Sequence, residues 1–156
     1  MPPYHTPLPA RTLRGMGIPA PWTFGLADRV RFGELDAIGH VNHTAYLRWY
    51  ESFRLPFLKA RHVTDYGPAS PRLVLREVQC RYIAEMGLGE DYIVTGRVSR
   101  FRNTSFTMEF AVWRDGDCTA EGSAVVVLLN RDAPGRSPIP EAGKAAFLAE
   151  DGAVAD

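Results

Sequence analysis

Residues 32–51 read FGELDAIGHVNHTAYLRWYE and join a strand-like segment to an apolar helix, so the order of secondary-structure elements is set here. The segment before it, residues 22–32, has the composition of a β-strand, whereas residues 33–42 are rich in turn-forming residues. From residue 44 to residue 61 the apolar side chains recur at helical spacing and spread around most of the helical wheel. We therefore predict a helix that is buried on more than one side. Within it, Pro56 is expected to kink the helix or to end its regular part, because proline lacks a backbone donor.

The remainder of the chain reads mainly as strands. Four strands, separated by turn-rich segments, are predicted over residues 73–82, 92–101, 105–113 and 118–130. One strand, one helix and four antiparallel strands form an α+β order. A sheet wrapped around the helix is a natural way to bury it. A short helix is predicted over residues 141–150, and the Ala/Gly/Asp tail after it is expected to fray.

Residues 1–21 form a proline-rich N-terminal arm with few large apolar side chains. The six prolines in this arm argue against regular structure. We predict that the arm forms neither a regular helix nor a strand ladder, and that it is flexible or draped over the surface. The folded domain is expected to span residues 22–150.

The composition argues against several classes of function. The formal net charge is zero at pH 7, so no overall basic field favours nucleic acid as a partner. No apolar run reaches the roughly 20 residues that a membrane-spanning helix needs, and no secretory signal is visible, so a cytoplasmic protein is expected. Cys80 and Cys118 match no metal-binding or redox motif and are expected to be reduced structural thiols. We expect no cofactor.

The densest group of polar residues lies between Glu34 and His43, at the junction of the predicted strand and helix. Such a junction can hold a carboxylate beside the unpaired amides of a helix N-terminus, which suits acyl transfer because the amides can bind an oxyanion. The residues alone leave a second interpretation open, in which Asp36 and Asn42 only stabilise the turn and cap the helix. His40 could act as a general base or hydrogen-bond locally. The close, irregular spacing of Asp36, His40 and His43 does not suit a three-ligand metal site, and none is predicted.

The same stretch resembles the signature of the 4-hydroxybenzoyl-CoA thioesterase family. The family pattern has an aromatic residue, an Asp-x-Asp segment, a Gly-His-Val-Asn segment and a helix with Tyr-Leu, Trp and Glu, and it corresponds here to residues 32–51. The similarity extends through the strand order to about residue 130 and leaves the N-terminal arm outside it. The resemblance implies a hotdog fold, in which an antiparallel sheet wraps around one long central helix. It also implies a homodimer or homotetramer that forms by sheet pairing, with active sites at the subunit interface.

The resemblance further assigns roles to individual residues. Asp36 corresponds to the catalytic carboxylate of the family, and Glu34 stands where relatives have another Asp. The oxyanion donor falls on the backbone amide of His43, and its imidazole is not implied in that role. Tyr46 would shape the acyl pocket, although a tyrosine of the core is an equally good interpretation. Asn42, in the same motif, is counted with the substrate-binding residues.

Residues 100–106, RFRNTSF, resemble the edge of the family fold that meets the nucleotide end of coenzyme A. Arg102 and Arg100 are the candidates for phosphate binding, and Ser105 lies in the same segment. Asn103 and Thr104 replace basic residues that some relatives carry, which leaves an acyl carrier protein open as the substrate. Ordinary solvent-exposed strand arginines are the alternative interpretation.

Taken with the resemblance, the sequence predicts an acyl-CoA thioesterase that hydrolyses the thioester to the free acid and CoA. Whether Asp36 activates water or itself attacks the carbonyl is left open. Three alternatives stay open as well: a thioesterase for acyl carrier protein, a dehydratase of acyl thioesters, and a protein of the same fold that only binds acyl groups. Dehydratases of this fold pair Asp with His at a different spacing and need a polar helix face, whereas the predicted helix is strongly apolar.

Overall fold

A seven-stranded sheet forms the framework of the structure, a computed structural model that describes residues 1–156. Across the sheet the strands follow the order β1-β2-β4-β5-β6-β3, with β7 beside the end of β4. All pairings are antiparallel except that of β7 with β4. The architecture is α+β, as predicted. In chain order the elements are β1 (Leu8–Pro9), α1 (Ala10–Gly15), β2 (Phe24–Arg29), α2 (His43–Ala60), β3 (Arg72–Tyr82), β4 (Asp91–Phe101), β5 (Ser105–Arg114), β6 (Asp117–Leu129), α3 (Glu141–Asp151) and β7 (Val154–Ala155).

Helix α2 is buried on more than one side, as its apolar pattern predicted. Tyr50 and Phe53 are at most 1% exposed, and the Tyr50 ring stacks on Phe110 of β5 with the ring centres 4.6 Å apart. Two glycines of the sheet allow this close approach. A Cβ atom at Gly96 would lie 2.4 Å from the Phe53 ring, and one at Gly122 would lie 2.5 Å from the Tyr50 ring. The sheet therefore has room for the helix because it lacks side chains at these two points.

Helix α2 continues through Pro56 to Ala60. The alternative that this proline ends the regular part of the helix is therefore wrong. Proline removes one hydrogen bond from the helical ladder. Phe57 and Leu58, directly after it, are buried in the core. Packing of the residues beyond Pro56 therefore outweighs the lost hydrogen bond.

The prediction that the N-terminal arm lacks regular structure is wrong for its middle part. Leu8 pairs with Gly25 of β2, residues 10–15 form α1, and Leu13 and Ile18 are at most 1% exposed. Pro9 lies at the N-terminal cap of α1, where no backbone donor is needed. The buried side chains of the arm pack on the outer face of the sheet, against Ala27, Ile93, Ala111 and Trp113.

The C-terminal tail also departs from the expectation, because it does not fray. β7 pairs with the end of β4, and the amide of Asp156 donates to the Phe101 carbonyl at 2.9 Å. A buried ion pair fixes α3 next to it. Asp151 is 2% exposed and Arg61, which follows α2, is 4% exposed; Oδ1 of Asp151 accepts from Nε and Nη2 of Arg61 at 3.1 and 2.7 Å. The other carboxylate oxygen of Asp151 accepts the Val98 amide of β4 at 3.2 Å, so one side chain ties two helices to the sheet.

Candidate active site

A tight loop between β2 and α2 holds the candidate carboxylate. The amide of Asp36 donates to the His40 carbonyl at 2.8 Å, and the amide of Gly39 donates to the Asp36 carbonyl at 3.1 Å. Gly39 has a φ of +83°, which glycine adopts without strain. The Asp36 side chain is part of the turn, since its Oδ1 accepts the amides of Ile38 and His40 at 2.9 and 3.2 Å. Its Oδ2 makes no hydrogen bond within the chain, so one oxygen is fixed while the other is available to a ligand.

Backbone and side-chain hydrogen bonds fasten this loop to the rest of the fold. The amide of Val41 donates to the Met86 carbonyl at 2.9 Å, and the amide of Asn42 donates to the Glu34 carbonyl at 2.7 Å. The Glu34 carboxylate in turn accepts from the Trp49 indole of α2. Glu34, which stands where the resembled family has Asp, therefore ties the loop to the helix.

The first turn of α2 presents an unpaired backbone amide. Asn42 is the N-terminal cap of the helix, and its side-chain oxygen accepts the amide and the hydroxyl of Thr44, both at 2.8 Å. The amide of His43 has no acceptor in the chain. This amide lies at the positive end of the helix dipole, where an oxyanion would be stabilised. The capping interpretation thus describes the geometry of Asn42, and the capping side chain leaves the His43 amide unoccupied.

A cleft of about 270 Å³ opens over the loop and the start of α2. It brings together four of the residues that the sequence proposed, Asp36, His40, His43 and Tyr46. The His40 imidazole is paired with Glu85, with 3.2 Å between Nε2 and Oε2, and makes no hydrogen bond to the Asp36 carboxylate. The remaining residues of the lining are Ile38, Val41, Tyr82, Ile83, Ala84 and Glu85.

Two tyrosines form one wall of the cleft. Tyr46 is 3% exposed, and Tyr82 at the end of β3 meets it edge to face with ring centres 5.2 Å apart. The Tyr82 hydroxyl donates to the His43 carbonyl at 2.8 Å. Burial is the main reason why the pKa values of both phenols are raised to about 12, so both are neutral near pH 7. Sequence reasoning missed Tyr82 because it lies outside the motif, and its only signal was its place at the end of a predicted strand.

The residues predicted for the nucleotide end of coenzyme A lie in a different cleft. Arg100, Arg102 and Ser105 line a depression of about 520 Å³ at the turn between β4 and β5. Arg100 makes a bidentate ion pair with Asp156, in which Nε and Nη2 lie 2.8 and 3.0 Å from the carboxylate oxygens. This hydrogen bonding lowers the pKa of the Asp156 carboxyl. Both arginines are exposed, and Arg102 is the one whose guanidinium has no ion-pair partner within the chain.

The two clefts do not meet within one chain. Strand β3 passes both of them, with Arg76 lining the arginine cleft and Tyr82 lining the Asp36 cleft. At about 3.3 Å per residue these two positions are roughly 20 Å apart along the strand. The structure therefore assembles the predicted catalytic residues in one place and the predicted phosphate-binding residues in another.

Cys80 and Cys118 are unpaired thiols. No group of three or more His, Cys, Asp or Glu side chains is arranged to hold a metal ion. None of the helices combines the length and the apolar character that crossing a membrane requires.

The sequence model of the Thioesterase-like superfamily matches residues 30–147 of the chain. The chain belongs to this superfamily. A crystal structure of a thioesterase superfamily protein from Jannaschia sp. CCS1 is 79% identical, with 100% of both chains covered and a TM-score of 0.98. A thioesterase from Thermus thermophilus, complexed with coenzyme A and Zn, is 27% identical with a TM-score of 0.70, covering 82% of this chain and 93% of that one.

A third structure, a 1,4-dihydroxy-2-naphthoyl-CoA thioesterase from Synechocystis, is 15% identical and shares the fold, with a TM-score of 0.72 over 82% of this chain and 97% of that one. Comparison with curated proteins gave no significant match. The superfamily and these neighbours confirm a hotdog-type α+β fold, in which α2 with 18 residues is the longest helix. They support thioester hydrolysis at the level of the superfamily. They do not single out the 4-hydroxybenzoyl-CoA thioesterase family within it.

Proposed function

We propose that the protein hydrolyses the thioester bond of an acyl-CoA to the free acid and CoA, with Asp36 as its catalytic carboxylate. One arrangement carries this proposal. Two amides fix one oxygen of Asp36, the other oxygen is unpaired, and the unpaired amide of His43 begins the adjacent helix. A carboxylate oxygen and a helix amide, both without a partner in the chain and both in one cleft, are the groups that acyl transfer needs.

In the proposed reaction the thioester carbonyl oxygen accepts a hydrogen bond from the His43 amide. That amide stabilises the negative charge which develops on the oxygen in the tetrahedral intermediate. In one route Asp36 takes a proton from the attacking water, the tetrahedral intermediate collapses with loss of the thiolate, and the thiolate acquires the proton that Asp36 took up. In the other route Asp36 attacks the carbonyl carbon, the C–S bond breaks as the anhydride forms, and water then cleaves the anhydride and supplies the proton of the thiol. His40 at the cleft mouth is a second candidate for proton transfer, and a thiolate needs little assistance to leave.

The remaining assignments concern substrate binding. Tyr46 and Tyr82 would contact the acyl group near the thioester, and Asn42 would act through the helix cap that orients the His43 amide. Arg102, with Arg100 and Ser105 nearby, would meet the phosphates of coenzyme A. The Thermus thermophilus relative, which is complexed with coenzyme A, supports this choice of substrate.

A homodimer paired through β3, or a homotetramer built from such dimers, is part of the proposal. β3 has 11 residues, pairs only with β6, and exposes 36–47% of Val74, Leu75, Val78 and Tyr82. A long apolar edge strand of this kind offers unpaired backbone groups to a second copy. Antiparallel pairing of two β3 strands, in the register that sets Tyr82 of one copy opposite Arg76 of the other, would bring these two positions together. The Asp36 cleft of one copy would then lie beside the arginine cleft of its partner.

The test is release of free thiol from acetyl-, hexanoyl-, palmitoyl- and benzoyl-CoA, followed with a thiol-reactive dye. Asp36→Asn retains an oxygen that can accept the two loop amides, so it removes the charge without removing the turn. We expect a fall in kcat of roughly a hundredfold or more for this variant. Asp132→Asn, in the exposed loop after β6, is the matched control and should keep full activity.

Unchanged turnover in Asp36→Asn would contradict the assignment of the carboxylate. Absence of thiol release from every CoA ester by folded protein would contradict the CoA substrate. The same assay with acyl carrier protein esters would then separate a carrier-protein thioesterase from a protein that only binds acyl groups. A strictly monomeric species in sedimentation would contradict the β3-paired dimer.

A further inference from the structure

A second groove runs between the C-terminal half of α2 and strand β3, and we call it the Arg54 groove. Its volume is about 460 Å³. Arg54, Arg72 and Arg131 line it and Glu51 is its one acidic residue, so three positive side chains and one negative side chain leave a net charge of +2. The rest of its wall is largely apolar and includes Leu58, Leu73, Leu75 and Val126.

Arg54 is a cation without an adequate partner. Its side chain is 12% exposed, yet its guanidinium donates no hydrogen bond within the chain, and the nearest carboxylate is Glu51 at 4.0 Å. The Glu51 side chain is 72% exposed and offers little compensation. Burial lowers the pKa of the Arg54 guanidinium. Arg61, which is more deeply buried, differs because Asp151 accepts two of its N–H groups. Arg54 therefore keeps an unused capacity to bind an anion in bidentate fashion.

One side of the groove is formed by an aromatic ring in a constrained loop. Tyr66 has a φ of +60°, which is uncommon for a residue other than glycine. Its amide donates to Oγ1 of Thr64 at 2.9 Å, and its hydroxyl donates to the Leu55 carbonyl of α2 at 2.7 Å. These bonds connect the loop to the helix and hold the ring across the groove, so the groove is formed before any ligand arrives.

The chemistry of the lining selects a class of ligand. An anion at one end would satisfy Arg54, and a hydrocarbon chain or ring would fill the apolar remainder. An uncharged acyl group would cover the guanidinium and offer it no acceptor. Inorganic phosphate would pair with the arginine but would leave the apolar wall unfilled. A carboxylate attached to an apolar body fits both parts.

The proposed dimer relates this groove to the reaction. Residues 73–75 of β3 border the Arg54 groove, and Tyr82 at the other end of the same strand borders the Asp36 cleft. When two β3 strands pair in opposite directions, the Arg54 groove of one copy lies next to the Asp36 cleft of the other. An acyl group whose carbonyl is held at Asp36 in one subunit can then extend toward Arg54 in its partner.

We propose that the Arg54 groove binds a carboxylate at the far end of the acyl group, so that the preferred substrates are thioesters of dicarboxylic acids. This inference rests on the proposed function, because it identifies the substrate class of the same reaction. It adds a specificity-determining residue, Arg54, that no feature of the sequence motif indicated.

The test compares CoA esters of equal chain length with and without a terminal carboxylate: adipoyl against hexanoyl, suberoyl against octanoyl, and sebacoyl against decanoyl. At the chain length that spans the two sites, wild type should hydrolyse the dicarboxylic ester with the higher kcat/KM. Arg54→Met keeps the length of the side chain but removes the charge. It should lower kcat/KM for the dicarboxylic ester about tenfold or more, with the monocarboxylic ester unaffected. Arg54→Lys should retain part of the preference.

Arg48→Met is the matched control, because Arg48 is an arginine of the same helix that does not line the groove. It should leave the preference intact. The inference is overturned if Arg54→Met lowers kcat/KM equally for both esters of a pair. It is also overturned if the wild-type protein does not prefer the dicarboxylic ester at any chain length.

If neither ester is hydrolysed, the proposed function fails, and direct binding still decides the question of the groove. Calorimetric titration with octanoate, using octanamide as the uncharged probe, should show binding of octanoate alone. That binding should disappear in Arg54→Met, and equal binding of both probes would contradict the anion site.

Discussion

Removal of the Asp151 carboxylate tests how α3 is held to the rest of the molecule. In Asp151→Ala the Arg61 guanidinium, 4% exposed, loses the oxygen that accepts from its Nε and Nη2. Breaking a buried ion pair by removing one partner costs about 3–5 kcal/mol of folding stability. Part of the charge is still compensated here, because Nη1 lies 3.2 Å from Glu150 and the guanidinium lies 4.8 Å from the centre of the Phe57 ring. We therefore expect the lower end of that range, about 3 kcal/mol.

The measurement is urea unfolding at neutral pH, with the free energy of unfolding obtained from the midpoint and slope. Glu141→Ala is the matched control, because Glu141 is an acidic residue of the same helix and its ion pair with Lys144 is exposed. This variant should change the free energy of unfolding by about 1 kcal/mol or less. The double variant Arg61→Met with Asp151→Ala should recover much of the loss, since no buried charge is left unpaired. A loss below about 1 kcal/mol in Asp151→Ala, or a double variant with fully additive losses, would refute this reasoning.

Three further changes follow from the geometry. Asn42→Ala removes the side-chain cap that accepts the Thr44 amide, and urea unfolding should show a loss of about 1 kcal/mol in the free energy of unfolding. The thiol-release assay should also show a lower kcat, because the first turn of α2 no longer holds the His43 amide in place. Gly96→Ala would place a Cβ atom 2.4 Å from the Phe53 ring. Urea unfolding should show a loss of about 2 kcal/mol in the free energy of unfolding from overpacking, and wild-type stability would contradict the close approach. Burial raises the pKa of the Tyr46 phenol from 10.0 to about 12, so the unfolded chain loses this proton at a lower pH than the folded protein does. The folded protein therefore becomes less stable relative to the unfolded chain as the pH rises between these two pKa values. Tyr46→Phe should therefore show a smaller fall in Tm than wild type between about pH 9 and pH 11, and an identical fall would contradict the raised pKa.

Local patterns were sufficient for most of the fold. The helical spacing of apolar residues and the alternation along the strands located α2, β3, β4, β5, β6 and α3 to within one residue at each end. The first strand is shorter than predicted, Phe24–Arg29 rather than residues 22–32. The loop around Asp36 could also be located from sequence, because its turn residues and the helix cap are neighbours along the chain.

Contacts between distant parts of the chain were beyond local patterns. Leu13 and Ile18 show no periodicity, and they become core residues only because a sheet built from later residues lies beneath them. Arg100 was predicted to bind phosphate, yet its observed partner is Asp156, which lies 56 positions further along. The isolation of Arg54 is likewise a property of the packed groove, since nothing in its neighbourhood along the helix indicates a cation without an acceptor.

The position of the N-terminal arm has a consequence for the order of folding. Leu13 and Ile18 pack on a surface to which Ile93, Ala111 and Trp113 contribute, and these residues leave the ribosome about 80 to 100 residues later. The arm is synthesised before this surface and has no complete surface to dock on until β5 has joined the sheet, so we expect it to become ordered late. During that interval its apolar side chains are exposed, and the prolines around them limit the strand that the segment can form to the two residues of β1, which offers other chains little to pair with.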